Sequence, residues 1–379
     1  MENPFSSGVF VSGERFYDRL EISHKLYEVL HSGENALLYG PRRYGKSSLA
    51  LQVLELLRAA GHTCLYFDLM RANSPEHFLQ EYTAAVYAAE NRRAKSLRTL
   101  LAAIKGLRPR ITIAPDGTSS IALDFASSPA TAASFEEALN LSERLGGRKK
   151  AVVVFDEFQE IAALSAKLPL ERIFRSVIQQ QRKTSYLFLG SRTHLLQRMF
   201  ADAARPFYNS AVPFQLGKPP EIESRAFIRN RFQTCGIRAD DDAVETILAA
   251  SENIPFYLQA LSATIWRACA ERRAKSITRD DAQAGVQAVV AQRCDFFEAL
   301  SASLSNAQRQ LLYALARERT DALSAEYRAR HGIDIYTTAA SALKQLLDKG
   351  LAEQENRQYR VADPFFERYL RAPAATVLD

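Results

Sequence analysis

The sequence predicts an α/β fold: a parallel sheet carrying a phosphate-binding loop, then a helical lid, then a small C-terminal domain in winged-helix order. Three observations predict it. The apolar stretch "NALLYG" runs through a second glycine into the helical pattern "KSSLALQVLELLRAAG". The apolar runs "TCLYFDL", "AVVVFDEFQEI" and "TSYLFLGS" end in polar residues, and unbroken apolar strands separated by helix-period sequence belong to a parallel sheet covered on both faces. The last part reads as helix, "GLAEQ" strand, "ENRQ" turn and "YRVAD" strand.

At 379 residues the chain exceeds one ordinary core, and its 47% apolar and 24% charged residues are those of a globular protein. Cys64, Cys235, Cys269 and Cys294 lie far apart without CxxC pairs or a nearby His cluster, so neither zinc nor a disulfide framework is supported, and a reducing cytosol fits. No basic, apolar leader opens the chain and no apolar run reaches bilayer length, which predicts a cytoplasmic location without a membrane partner. The net charge of +6 permits nucleic-acid contact without demanding it. The stretch 91–110 carries seven Lys or Arg and no acid; it suits either phosphate tracking or a solvated, partner-docking face.

Gly40, Gly45, Lys46 and Ser47 satisfy G-x-x-x-x-G-K-[ST]. In that pattern the loop Gly40, Pro41, Arg42, Arg43, Tyr44, Gly45 curls so that backbone N–H groups face phosphate oxygens. Lys46 reaches the β- and γ-phosphates, the Ser47 hydroxyl ligates Mg²⁺, and the helix that continues through Ser48 presents the positive end of its dipole. A bare glycine turn between strand and helix is the alternative. A second acidic element is then required at another strand end, and "AVVVFDEFQEI" supplies it. Asp156 would hold Mg²⁺ through water, and Glu157 would polarise the attacking water as general base. A carboxylate pair that merely caps the next helix is the plainer reading. The strand "TSYLFLG" ends in Ser191 and Arg192; Ser191 is the better candidate to feel the γ-phosphate, and it too fits ordinary turn chemistry. Asp68, ending "TCLYFDL", reads as structural.

The combination of "YGPRRYGKSSL", "VVVFDEFQEI" and "LFLGSRTHLLQRMFADAARPFYNSAVPFQL" resembles the archaeal-type ATPases, P-loop proteins related to AAA+ and close to the origin-recognition ATPases and the signalling (STAND) NTPases. The resemblance extends from "VFVSGERFYDRLEISHKL" to "RVADPFFERYLR". It implies a five-stranded parallel sheet with the phosphate-loop strand central, a helical lid and a winged helix. It also implies ATP as the nucleotide; no guanine-selective N-K-x-D stretch occurs. The chain departs from the pattern twice. Asn209 and Ser210 stand where relatives often carry an arginine that reaches a neighbouring subunit. Arg205 is the nearest substitute and Arg192 and Arg198 are others for a homo-oligomer, a surface salt bridge being the plainer role for each. The lid's "GxP" stretch reads Asn253-Ile254-Pro255, which keeps Pro255 for the nucleotide base.

The expected organisation is a leading helix at 13–32, a nucleotide-binding domain over 1–217, a helical lid over 218–298 and a winged-helix domain over 299–379. An insertion at about 88–131 holds the basic stretch and a β-hairpin around Asp116-Gly117. A winged helix offers one helix to a DNA major groove. Here that helix spans about 337–349, with Thr337, Thr338, Lys344, Gln345 and Lys349, and Arg357 lies on the wing. Two function classes follow: an ATPase coupling nucleotide state to duplex DNA, or a slow nucleotide switch controlling assembly with a protein effector. Residues 301–371 carry eleven Lys or Arg against nine Asp or Glu, a thin basic balance for DNA.

Overall fold

The computed structural model describes residues 3–5, 19–91, 109–113, 119–123, 129–145, 150–165, 168–333, 335–355 and 358–372. The described residues form two compact units. One, the core unit, comprises Arg19–Pro41 and Lys46–Gly217. The other, the C-terminal unit, takes the chain from Lys218 onward, residues 3–5 and, from the middle of the phosphate loop, Arg42–Gly45.

The core unit runs α1 (Leu20–Ser32), β1 (Ala36–Tyr39), α2 (Lys46–Ala59), β2 (Thr63–Asp68), α3 (Pro75–Asn91), β3 (Pro109–Ile113), β4 (Ser119–Leu123), α4 (Ala132–Leu145), β5 (Ala151–Asp156), α5 (Ile161–Leu164), α6 (Leu170–Ile178), β6 (Thr184–Gly190), α7 (Thr193–Ala201) and β7 (Val212–Gln215). Five strands form one parallel sheet in the order β2-β5-β6-β1-β7. The phosphate-loop strand is therefore interior but not central. The middle place belongs to β6, because β7 adds outside β1 and leaves β1 one strand from the edge. Asp68 is in register with Asp156, and Tyr39 with Gly190, so the loop and the acids emerge at one edge of the sheet. β5 and β6 are buried at every position, as a strand with both faces covered requires.

Helix α6 buries Leu170, Ile173, Phe174, Val177 and Ile178, a stripe at helical spacing. Phe155 packs against Phe67, Phe78, Tyr82, Phe158, Phe174, Tyr186 and Phe188, with ring centroids 5.6–6.4 Å apart. Truncating such a ring costs about 3–5 kcal/mol. The residue before Asp156 is thus a fixed post. Arg19, the residue ahead of α1, has φ 73°. A left-handed residue ends a right-handed helix, so α1 cannot begin at residue 13 as expected. The hairpin β3–β4 is antiparallel, with Ile113 opposite Ser119. Its turn at Asp116-Gly117 and the basic residues 92–108 lie outside the described residues.

The C-terminal unit runs α8 (Glu221–Thr234), β8 (Arg238–Ala239), α9 (Asp241–Ser251), α10 (Pro255–Glu271), β9 (Ser276–Ile277), α11 (Arg279–Gln292), α12 (Cys294–Ala302), α13 (Asn306–Arg317), α14 (Ala325–Arg330), α15 (Tyr336–Asp348), β10 (Ala352–Glu355), β11 (Gln358–Val361) and α16 (Pro364–Arg371). The lid region was expected to be all helical, yet β8 and β9 make a two-residue parallel pair. The order α13, α14, α15, then the antiparallel β10–β11 ribbon, is that of a winged helix. Capping boxes open α11 (Thr278 with Asp281) and α13 (Ser305 with Gln308), and each satisfies two otherwise orphan N–H groups. No helix among the described residues is long and apolar enough to cross a membrane.

Candidate functional site

At the edge where β1 ends, the chain turns through the phosphate loop into α2. Gly40 has no room for a side chain: a Cβ there would sit 2.4 Å from the Leu216 carbonyl oxygen. Gly45 has φ +88° and Arg43 φ +69°; left-handed residues of this kind are what a loop needs for successive N–H groups to face one anion. Lys46 is buried, and its Nζ donates to the carbonyls of Gly40 and Pro41 at 2.8 Å each. Ser48 lies one residue on, in the first turn of α2.

Ser47 Oγ donates to Asp156 Oδ2 at 2.7 Å, and Tyr66 OH donates to the same oxygen. Asp156 Oδ1 accepts the Glu157 N–H at 2.8 Å, so both carboxylate oxygens are held. A hydroxyl and a carboxylate this close form an all-oxygen donor pair, the hard ligands that Mg²⁺ takes alongside water and phosphate. Burial, then the neighbouring Asp156 charge, pushes the Tyr66 phenol well above its usual range, so it remains a donor. Asp68 accepts the Met70 N–H at 2.9 Å, which agrees with a structural reading. Its carboxyl is nonetheless raised, first by burial and then by the charges of Asp156 and Glu157. The edge therefore carries a concentrated negative field that a divalent cation would relieve. The donor set fits Mg²⁺.

Glu157 follows β5 with φ 50° and ψ 48°. Its Oε2 accepts from Ser191 N–H (3.2 Å), Ser191 Oγ (2.9 Å) and the Gln159 side-chain amide. Ser191 was expected to face a phosphate; here it grips the candidate base. Arg192 pairs with Glu160 at 3.7 Å and Arg205 with Glu171 at 3.6 Å, the surface ion-pair roles weighed for them. Arg198 is exposed.

The loop's middle residues are placed by the C-terminal unit. The Arg43 guanidinium lies over the rings of Phe256 and Tyr257 (5.1 and 5.0 Å), and donates to Tyr257 OH and to Asp363 Oδ2 (3.0 Å). Burial works against its charge, but Tyr257 and Asp363 outweigh it and raise its pKa. Asp363 Oδ2 also accepts from Arg293 at 3.0 Å, while its Oδ1 caps α16 through Phe365 and Phe366 N–H. Tyr44 OH accepts from Arg360 at 3.4 Å. Arg360 is buried, which lowers its pKa against the pull of Tyr44 and Glu367, and Glu252 and Glu353 flank it. Gly350 lies against the Arg42 guanidinium.

Asn253 answers the missing lid glycine. It has φ 55°, the conformation a glycine would supply, and its Nδ2 donates to Pro219 O at 2.7 Å. Pro255 is the first residue of α10, where its absent N–H costs nothing. On α15, Thr337, Thr338, Lys344 and Gln345 are exposed, and Lys349 just beyond it donates to Gln308. Arg357 lies outside the described residues.

Sequence reasoning missed Tyr66, Gln159, Asp363, Tyr257 and Arg293. Tyr66 had a usable signal, since in β2 it shares with Asp68 the face left half-buried. Gln159 is only two residues from Glu157 but carries no motif. Asp363, Tyr257 and Arg293 depend on residues brought together from distant parts of the chain.

A family model described as an ATPase domain predominantly from Archaea matches residues 16–204, and one described as a probable winged helix domain matches 295–372. No curated protein matches in sequence. Among solved structures, the Walker-type ATPase PABY2304 of Pyrococcus abyssi is 20% identical with a TM-score of 0.66, over 95% of this chain and 97% of that one. The Aeropyrum pernix ORC2 protein, in ADPNP–ADP complexes, is 14% identical with a TM-score of 0.57, over 94% of each chain. The Aeropyrum pernix ORC1 protein in complex with DNA is 14% identical with a TM-score of 0.54, over 94% of this chain and 92% of that one.

Proposed function

We propose that this chain, which belongs to the archaeal-type ATPases, couples the nucleotide held by its phosphate loop to the winged helix, and through it to duplex DNA. The ATPase activity itself follows from the family. In our assignment Lys46 and the loop N–H groups hold the β- and γ-phosphates. Ser47 and Asp156 hold Mg²⁺, with Tyr66 fixing Asp156. The ion, when bound, neutralises charge on the phosphate oxygens. Glu157 takes the proton of the water that attacks the γ-phosphorus, and ADP leaves with the electrons of the broken P–O bond. Residues 42–45 lend their backbone to phosphate and their side chains to the C-terminal unit.

One observation carries the coupling. Arg43, in the loop itself, is held by Asp363, which caps the last helix of the winged-helix segment. A loop so anchored cannot change with nucleotide without moving the energy of that contact, and linkage makes the effect reciprocal. DNA as the output is supported by the exposed polar face of α15 and by the fold shared with a DNA-bound origin-recognition protein. A protein effector is the second reading, favoured by Ile335 and Tyr336, exposed at 63% and 53% at the start of that same helix. A cytoplasmic location and a homo-oligomer remain part of the proposal.

The test is ATP turnover with and without duplex DNA, with Lys46→Ala as the blank. Stimulation by DNA that fades with salt supports the DNA reading. Slow turnover indifferent to DNA favours the effector. Lys46-independent turnover refutes the site.

A further inference from the structure

Three donors converge on one oxygen of Glu157, and the third comes from a residue that no motif predicts to be functional. Gln159 sits in the single 3₁₀ turn (Phe158–Glu160) after β5 and is 4% exposed. Its Nε2 donates to Glu157 Oε2, the oxygen that Ser191 also grips. Its own Oε1 is buried and has no hydrogen-bond partner among the described residues. That oxygen fills the space beside Gly190, where an added Cβ would meet it at 2.2 Å. The amide cannot be turned round, because the flip would set its carbonyl oxygen against a carboxylate.

A buried amide that leaves half its capacity unmet is a poor structural choice; an apolar side chain of the same shape would do better. The arrangement makes sense if its purpose is to fix the carboxylate. We infer that Gln159 is a positioning residue for hydrolysis: with Ser191 it ties down Oε2, so that Oε1 is the oxygen aimed at the attacking water. Glu157 needs such support, because its backbone is left-handed and its side chain would otherwise rotate freely at the strand end. A base held in one orientation is worth more to the rate than to binding. This inference rests on the assignment of Glu157 as general base.

The test is a set of turnover and ATP-binding measurements on the full chain, with a fluorescent ATP analogue reporting affinity. Gln159→Leu removes the donor, and Gln159→Met is made beside it as the closest match in shape. Both are expected to lose 10- to 100-fold in kcat while KM and analogue affinity stay within twofold. On the Glu157→Gln background, adding Gln159→Leu is expected to change the residual rate by less than twofold, because the carboxylate it orients is gone. The inference is overturned by a kcat within threefold of the parent, by an equal loss on both backgrounds, or by loss of ATP binding in both variants, which would make Gln159 part of the scaffold. Glu157→Gln turning over at the parent rate would instead sink the base assignment, and this inference with it. An inactive Glu157→Gln beside a fully active Gln159→Leu sinks the inference alone.

Discussion

Replacing Asp363 by Asn separates the charge that holds the phosphate loop from the cap that holds α16. Asn is as good an N-cap as Asp, so Oδ1 continues to accept from Phe365 and Phe366. What is lost is the negative charge facing Arg43 and Arg293, each 3.0 Å from Oδ2. Buried charge-assisted bonds are worth about 1.5–3 kcal/mol and exposed ion pairs about 0.2–1 kcal/mol. With Asp363 11% exposed, Arg43 38% and Arg293 27%, both bonds lie between those limits. About 1 kcal/mol each is a reasonable figure on that scale. The C-terminal unit should therefore lose about 2 kcal/mol of stability. Trp266, the single tryptophan, is buried in α10 of that unit and reports its unfolding in urea. The Arg43 share falls on a loop whose left-handed turns must be held ready for phosphate, so ATP affinity should weaken about fivefold, the equivalent of about 1 kcal/mol. A shifted Trp266 transition with unchanged ATP affinity would show that the contact is merely structural. Tighter ATP binding would reverse the sign and refute preorganisation.

Three further outcomes follow from the core unit. Tyr66→Phe should raise the Mg²⁺ concentration for half-maximal turnover several-fold while metal-free ATP binding holds, since only the bond to Asp156 Oδ2 is removed; an unchanged Mg²⁺ titration refutes the role. Gly40→Ala should abolish measurable ATP binding, because relieving a 2.4 Å contact with the Leu216 carbonyl must move the loop, and a variant that binds normally refutes the tight approach. Asp68→Asn should stabilise the core unit at neutral pH. The folded state raises the Asp68 pKa, so ionisation costs stability as pH rises through that value; the gain should vanish below the ordinary carboxylate range, and a gain that persists in acid refutes the electrostatic cause.

The sheet, the phosphate loop and the acid-bearing strand were legible because each is local. Gly40, Gly45, Lys46 and Ser47 declare a turn and its chemistry within eight residues, and "AVVVFDE" declares a buried strand by composition alone. Strand order was not legible: nothing in "VPFQ" tells that it pairs outside β1. Neither were the long-range partners. Arg43 and Asp363 stand 320 residues apart in sequence, and no periodicity connects them. The departures from the family pattern divide in the same way. Asn253 adopts the glycine-like conformation, which its tolerance of left-handed backbone permits. Arg192 and Arg205, candidates to replace the missing arginine, pair with Glu160 and Glu171, the plainer surface role weighed for them.

The phosphate loop's signature leaves four positions unspecified, because phosphate is bound there by backbone N–H groups and needs no particular side chain. Those positions are free to be used for something else. Here three of the four carry large polar or aromatic side chains: Arg42 against Gly350, Arg43 on Asp363 and Tyr257, and Tyr44 on Arg360. Gly350, Arg360 and Asp363 all lie within the matched winged-helix segment. In the proposed assignment the same short stretch offers phosphate its main chain, while its side chains contact the winged-helix segment. A change in one cannot be isolated from the other, since rotating the backbone about Arg43 swings the guanidinium off Asp363. Under the proposed assignment that shared segment would connect nucleotide and winged helix without an intervening chain of contacts, and Asp363→Asn tests it at one point.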